Sequence, residues 1–121
     1  MSNFMNVDEF ILTFTETDVS TAGTVYVACP ADGRIESIQS VINGAIATAN
    51  VVLTASINAV AVTGGAITVT QSGSAAGDVD IVIPSALNHF VKGDYIKIVT
   101  GGQSSNTISA HYTIRCKSTG R

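Results

Sequence analysis

Residues 49–83 read ANVVLTASINAVAVTGGAITVTQSGSAAGDVDIVI, and this stretch decides the fold. Apolar and β-branched residues occupy every second position between short polar breaks. Because side chains alternate between the two faces of a strand, Val51 and Leu53 fall on one face and Val52 and Thr54 on the other. The pattern predicts strands of an antiparallel sheet with one buried face.

Two turn signals and one loop divide this stretch. Asn58-Ala59 predicts a chain reversal, and Gly64-Gly65 predicts a second tight corner because glycine adopts positive φ readily. After a small-polar loop over residues 71–77, the apolar alternation resumes at Val79, Ile81 and Ile83. The predicted product is a meander of neighbouring strands on which the rest of the chain packs.

The N-terminal part shows the same period of two. Residues 10–15 and 25–29 predict two strands, the second ended by Pro30 because proline has no N–H for a ladder. Asp32-Gly33 is a hairpin signal, and a change of apolar phase near Ser37 predicts a β-bulge.

The C-terminal part contains the clearest strand of the chain. Residues 84–88 predict a single helical turn, and Lys92-Gly93-Asp94 predicts a tight turn. The last strand has five predicted inward residues: Ile108, Ala110, Tyr112, Ile114 and Cys116.

These elements together predict an all-β chain. About eight strands without a helix longer than one turn indicate a single antiparallel β-sandwich or jelly-roll-like domain. We assign this domain to residues 9–117, a flexible arm to residues 1–8 and a tail to residues 118–121.

The composition is poor in charge. Charged residues make up 12% of the 121 residues, against about 25% in ordinary soluble domains, and the mean hydropathy is +0.37. A surface with so little charge is weakly protected against association, so we expect part of it to be buried in a homo-oligomer.

Charge and hydropathy also bear on partners. The net charge of −3 argues against a nucleic-acid groove, which needs clustered Lys and Arg. Residues 45–62 form the most apolar window, but polar residues interrupt it, so we expect no membrane span.

Residues 1–7 lack the features of a signal peptide, which predicts synthesis in a reducing cytosol. Cys29 and Cys116 are then expected to be buried thiols, close together if the first and last strands pair.

Residues that could perform chemistry are few. His89 and His111 are the only histidines, and neither lies in a metal-binding or hydrolytic motif. We therefore expect no enzymatic activity, no metal and no cofactor. Asp78 and Asp80 could bind Ca²⁺ with carbonyls of the preceding loop, but solvation explains alternating acids equally well.

Two features bear on the binding of a carbohydrate or of a protein partner. The chain has no Trp, and Tyr26, Tyr95 and Tyr112 are spread over separate strands, which leaves carbohydrate binding as a minor interpretation. The small residues of loop 71–77 permit close approach of another backbone at a subunit or partner contact. A long flexible loop is the alternative.

Two segments carry a resemblance to a known family. SVINGAIATANVVLTASINAVAVTGGAITVTQSGSAAGDVD and VKGDYIKIVTGGQSSNTISAHYTI resemble small β-rich virion proteins of tailed bacteriophages, called decoration, cement or head auxiliary proteins. The resemblance spans residues 24–114, and its distinctive parts are INAVAVTGG and QSGSAAGD. The N-terminal arm has no counterpart in it.

The resemblance implies a jelly-roll-like homotrimer on the capsid surface, bound to the major capsid protein at three-fold or quasi-three-fold points. Synthesis would take place in the host cytoplasm. The resemblance carries over no individual residues. From the acidic N-terminal segment and the small-residue loop at one end of the sandwich, we predict these residues for the capsid or subunit interface: Asn3, Phe4, Met5, Asn6, Asp8, Ser72, Ser74 and Asp78. The alternative is a carbohydrate- or receptor-binding module of a phage fibre or tail.

Overall fold

The computed structural model describes residues 9–101 and 106–119. These residues form nine strands and no helix. The strands are β1 (Glu9–Glu16), β2 (Gly23–Ala28), β3 (Gly33–Ile42), β4 (Val51–Ile57), β5 (Val60–Val69), β6 (Val79–Val82), β7 (His89–Phe90), β8 (Tyr95–Thr100) and β9 (Ala110–Ser118).

The strands form two antiparallel sheets. Sheet I has the order β1-β9-β3-β6, with the short β7 also paired to β3. Sheet II has the order β2-β8-β4-β5. The predicted all-β sandwich is confirmed.

Strand pairing is nested along the chain. The first strand pairs with the last, β2 with β8, β3 with β6 and β4 with β5. The chain thus follows the path of one long hairpin whose strand pairs alternate between the two sheets, which is jelly-roll topology. The predicted meander is wrong beyond β5, because residues 70–78 carry the chain across the roughly 10 Å gap between the sheets.

Three local predictions are also wrong. Asp32-Gly33 connects strands of different sheets, and the Asp32 carboxylate instead accepts a hydrogen bond from Lys92 N at 2.8 Å. Residues 84–88 form no helical turn, since Ala86 makes an isolated β-bridge with Thr63.

The third concerns Gly64-Gly65, which lies inside β5. The pairing of β5 with β4 shifts register between Thr54 and Ser56. Gly64 has a φ of 76°, a conformation that favours glycine. The glycines therefore form a bulge in one strand, where we expected a corner between two.

Other sequence signals correspond to the structure. Asn58, with φ 57°, reverses the chain between β4 and β5. The register of β3 against β9 shifts between Ile35 and Ser37, at the predicted bulge. Cys29 and Cys116 are buried free thiols.

The core lies between the inner faces of the two sheets. Its largest fully buried side chains include Ile35, Ile38, Tyr112 and Ile114 from sheet I and Leu53, Ile67 and Ile96 from sheet II. In β9 the predicted alternation holds, with Ala110, Tyr112, Ile114 and Cys116 buried.

One buried polar group ties the sheets together near one end. The Glu16 carboxylate of sheet I accepts hydrogen bonds from the Thr100 hydroxyl of sheet II and, at 3.3 Å, from the Tyr112 hydroxyl. Burial and the neighbouring carboxylate raise the pKa of Tyr112. The phenol therefore stays protonated and keeps its role as a donor.

The core assignment predicts unequal effects of the same truncation on two strands. Ile114→Ala should lower the free energy of unfolding by about 2–5 kcal/mol, because it leaves a cavity between the sheets. Ile11→Ala, on the exposed face of β1, should change it by less than about 0.5 kcal/mol. Urea denaturation of both variants measures the difference, and equal losses would contradict the packing.

Candidate interaction surfaces

The sandwich has two ends that differ in composition. The loop end comprises residues 17–22, 43–50, 70–78 and 106–109. The arm end comprises Glu9, residues 29–32, 58–59 and 84–94, and Lys117. The eight residues of β1 connect them, which at about 3.3 Å per residue separates the ends by roughly 23 Å.

The predicted interface residues divide between these ends. Asn3, Phe4, Met5, Asn6 and Asp8 lie outside the described residues, and Glu9, which follows them, is at the arm end. The other three, Ser72, Ser74 and Asp78, lie together in one loop at the loop end. Their contact with a partner stays a prediction.

Hydrogen bonds hold this loop against the sandwich. The Ser74 hydroxyl accepts from Ile46 N at 3.0 Å and donates to Ile46 O at 3.2 Å. The Asp78 carboxylate accepts from Ala75 N at 2.9 Å, and Gly77 N donates to Ile42 O at 2.8 Å. This geometry argues against the long flexible loop, and contact of residues 71–77 with a subunit or partner stays a prediction.

The loop end is acidic and lacks basic residues within the described part of the chain. Its charges include Asp18 and Asp78, while the described bases are Arg34, Lys92, Lys97, Arg115 and Lys117. Hydrogen bonds from Ser20 lower the pKa of the Asp18 carboxyl. Apart from these acids, the described residues at this end present mainly hydroxyls, methyls and backbone.

The outer face of sheet I shows one sequence prediction reversed. The apolar alternation at Val79, Ile81 and Ile83, in a sheet with one buried face, predicts that these residues face the core, but they are 57%, 52% and 72% exposed. We call these three residues the β6 ridge. The physical reason is the strand register. Ile81 of β6 lies opposite Gln39 of β3, and Gln39 lies opposite Thr113 of β9. The side chains of this row point away from the core.

A shallow groove lies beside the β6 ridge. Ile81 and Ile83 form one wall, and Ile11, 60% exposed on β1, forms the other. Gln39 and Thr113 line the groove between these walls. A groove with apolar walls and a polar floor suits an extended protein segment.

The outer face of sheet II carries an aromatic pair that sequence analysis missed. The rings of Tyr26 and Tyr95 pack edge to face with centroids 5.4 Å apart, and Tyr26 is 63% exposed. The Tyr95 hydroxyl donates to Asn58 O at 2.9 Å. Tyr112, by contrast, is buried. Only the pairing of β2 with β8 brings the two tyrosines together, so spacing alone carried no signal.

The candidate metal-binding residues do not assemble into a cluster. Within residues 9–101 and 106–119, no group of three or more His, Cys, Asp and Glu could hold a metal ion. The Asp78 carboxylate caps Ala75 N, and His111 lies on the outward face beside the Thr15 hydroxyl, at 2.8 Å.

The two cysteine thiols have low reactivity. Burial raises the pKa of Cys29 to about 11 and that of Cys116 to about 12. Since the thiolate is the reactive form, both thiols are poor nucleophiles at neutral pH.

The part of the chain that the structure describes contains no helix that could span a membrane.

Comparison with known proteins gives structural matches only. No protein-family model matches the sequence, and no curated protein matches it. The fold is similar to a chain in the acid-stable capsid structure of Helicobacter pylori bacteriophage KHP30. That match has a TM-score of 0.61 and 9% identity, and it covers 92% of this chain and 88% of that chain.

Two further structures are similar. The catalytic domain of a GH87 α-1,3-glucanase gives a TM-score of 0.53 at 9% identity, covering 96% of this chain and 29% of that one. A chain of the cyanophage Pam1 capsid asymmetric unit gives 0.47 at 13%, covering 92% and 82%. At such identities, the two matches above 0.5 show a shared fold.

The carboxyl of Asp80 predicts a specific pH dependence. Partial burial, and secondarily the neighbouring Asp78, raise the pKa of Asp80. The folded protein therefore binds this proton more tightly than the unfolded chain, and stability falls as pH rises through the titration of this carboxyl. Asp80→Asn should raise the melting temperature at neutral pH, and the gain should vanish in acid, below the ordinary Asp pKa of about 4.

Asp18→Asn is the matched control, because the pKa of Asp18 is lowered. It should lower the melting temperature at neutral pH and become harmless in acid. Calorimetry across the pH range tests both variants, and the same sign for both at neutral pH would contradict the assignment.

Proposed function

We propose that this protein is a structural virion protein of a tailed bacteriophage, specifically a capsid decoration or cement protein. It binds as a homotrimer to the outside of an icosahedral head and stabilises the head by bridging subunits of the major capsid protein. The observation that carries the proposal is the jelly-roll sandwich, shared with the KHP30 capsid chain over nearly the full length of both chains.

The surfaces support a role in assembly without catalysis. The loop end is rigidly hydrogen-bonded and lacks described bases, and the outer face of sheet I exposes an apolar ridge beside a groove. Large exposed apolar side chains in a row are typical of protein–protein contacts. We therefore assign the protein a bridging function, with no reaction and no cofactor.

Bridging makes modest contacts sufficient. A trimer placed where several shell subunits meet binds all of them at once, so that each further contact forms at high effective concentration. The nested strand pairing also places most contacts far apart in sequence, which favours slow folding and unfolding. Both properties suit a particle that must withstand the pressure of packaged DNA.

Attachment to the shell can be assigned to one end of the sandwich. We expect deletion of residues 2–8 to abolish binding to capsids lacking this protein, while the native mass stays at about three times the chain mass of 12.4 kDa. Light scattering measures the mass, and co-sedimentation measures capsid binding.

Ser72→Lys probes the other part of the predicted interface, at the opposite, loop end. With the shell contact at the arm end, this variant keeps full capsid occupancy. Unchanged occupancy of the deletion variant together with loss for Ser72→Lys would place the shell contact at the loop end. A monomeric mass for the unaltered protein would overturn the trimer.

A carbohydrate- or receptor-binding module of a phage fibre or tail is the second candidate. The observation that favours it is the exposed Tyr26–Tyr95 pair, because tyrosine rings can pack against the apolar faces of sugars and donate hydrogen bonds. Lys97 pairs with Tyr26 across the strands, which adds a cationic donor beside the rings.

This candidate predicts glycan binding through Tyr26. On a glycan array, the unaltered protein should bind a defined set of sugars, and Tyr26→Ala should remove at least nine-tenths of the signal. Thr24→Ala, two residues away on the same strand, is the control and should retain it. No binding by the unaltered protein excludes this candidate.

A further inference from the structure

A cleft opens at the arm end, between the β4–β5 turn of sheet II and β7 of sheet I. Its volume is about 400 Å³, within the roughly 300–1,000 Å³ that is typical of ligand sites. Three aliphatic and three polar residues line it: Ile57, Val60, Leu87, Asn58, His89 and Asp94.

Leu87 has an unusual backbone conformation at this cleft. Its φ of 54° lies in the left-handed region, which a bulky residue occupies only at a cost. The neighbouring residues impose this conformation. Ala86 O accepts a hydrogen bond from Thr63 N of β5 at 3.0 Å, and Asn88 O accepts one from Ile35 N of β3 at 2.9 Å. Leu87 therefore links two residues that are anchored to different sheets.

The Leu87 side chain contributes little to the core. It is 61% exposed, and Val60, which also lines the cleft, is 56% exposed. Glycine or asparagine adopts this backbone conformation more readily, so the backbone alone does not explain a leucine here. A strained and exposed apolar side chain in the wall of a cleft indicates a contact surface.

Charge decides which kind of group fits the cleft. Among its lining residues Asp94 is the only acid, and none is Lys or Arg. A hydrogen bond from Val91 N, and secondarily one from the Asn58 amide, lower the pKa of the Asp94 carboxyl, so this group is ionised at neutral pH. Neither ion pair of the described chain involves Asp94. The cleft therefore combines aliphatic walls with a carboxylate that has no cationic partner in the described chain.

We propose that this cleft binds a lysine side chain presented by a protein partner. The four-carbon stem of the lysine lies against Ile57, Val60 and Leu87. Its ammonium donates to the Asp94 carboxylate, which supplies the complementary charge.

The hydrogen bonds of Asp94 favour lysine over arginine. One carboxylate oxygen already accepts from Asn58 Nδ2 at 3.0 Å, and the other accepts from Val91 N at 2.9 Å. A bidentate guanidinium requires both oxygens in one plane, whereas a compact ammonium requires only one remaining lone pair.

On a capsid, the cleft defines the chemistry of the shell contact. Lysines of the major capsid protein enter the clefts at the arm end of the trimer. A single contact of this kind is weak, but the three clefts of a trimer engage at high effective concentration. This role rests on the proposed function, whereas lysine binding by the cleft does not.

NMR titration tests the cleft in solution without a capsid. The probe is N-acetyl-lysine methylamide, and the control ligand is N-acetyl-norleucine methylamide, which has the same stem without the ammonium. The lysine probe should shift the amide signals of Asn58, Leu87 and Asp94 in a saturable manner. The norleucine probe should bind about five-fold more weakly, because it lacks the charge. Absence of saturable shifts at these residues, or equal affinity of the two probes, overturns the proposal.

Variants separate binding from folding. Leu87→Asn should weaken binding of the lysine probe by about three-fold or more, because apolar contact with the stem is lost. Its melting temperature should stay unchanged, since relief of the left-handed strain offsets the small loss of apolar burial. Val91→Asn is the matched control, because Val91 is exposed but does not line the cleft, and it should retain full affinity. A lower melting temperature of Leu87→Asn with unchanged affinity overturns the role of Leu87.

The result of the titration is independent of capsid binding. A protein that binds the lysine probe but not capsids keeps the lysine site and loses the proposed function. If the protein binds capsids, acetylation of the capsid lysines should lower occupancy, because it removes their charge. Capsids treated by reductive methylation, which keeps the charge, should retain it. Equal occupancy on both kinds of capsid overturns the lysine contact with the shell.

Discussion

The pairing of β3 with β9 is the interaction on which the rest of the structure depends. Strand β9 lies between β1 and β3, so its register decides which residues of three strands face the core. The shift between Ile35 and Ser37 lets Ile35 and Ile38 both point inward although they are three residues apart. The pairing of β3 with β6 continues this alignment. It places Asp80 and Val82 on the inner face of sheet I and the β6 ridge on its outer face. Burial in β9 and exposure at β6 are therefore consequences of one alignment.

Sequence patterns predicted the elements well where local chemistry sets the structure. The alternation in residues 110–116, the turn at Asn58 and the bulge near Ser37 all follow from period, turn residues and phase. The all-β class follows from the absence of any helical period. These features require only information carried by neighbouring residues.

What could not be predicted depends on pairing between distant strands. The apolar phase of β6 gives no indication that Gln39 will be its neighbour, and the expected burial of Ile81 was wrong for that reason. Gly64-Gly65 serves equally well as a corner or as a bulge until β4 is aligned beside it. Likewise, the Tyr26–Tyr95 pair and the opposite positions of Glu9 and Ser72 arise only when the hairpin is wound into two sheets.

The adjacency of β1 and β9 has a practical consequence. Glu9 pairs with Lys117, so the described chain enters and leaves the sandwich side by side. A peptide or fluorescent domain joined before residue 9 and one joined after residue 119 would both depart from the same pole. Fusions at either position would leave the opposite pole unobstructed, which makes this small sandwich a candidate scaffold for one-sided display.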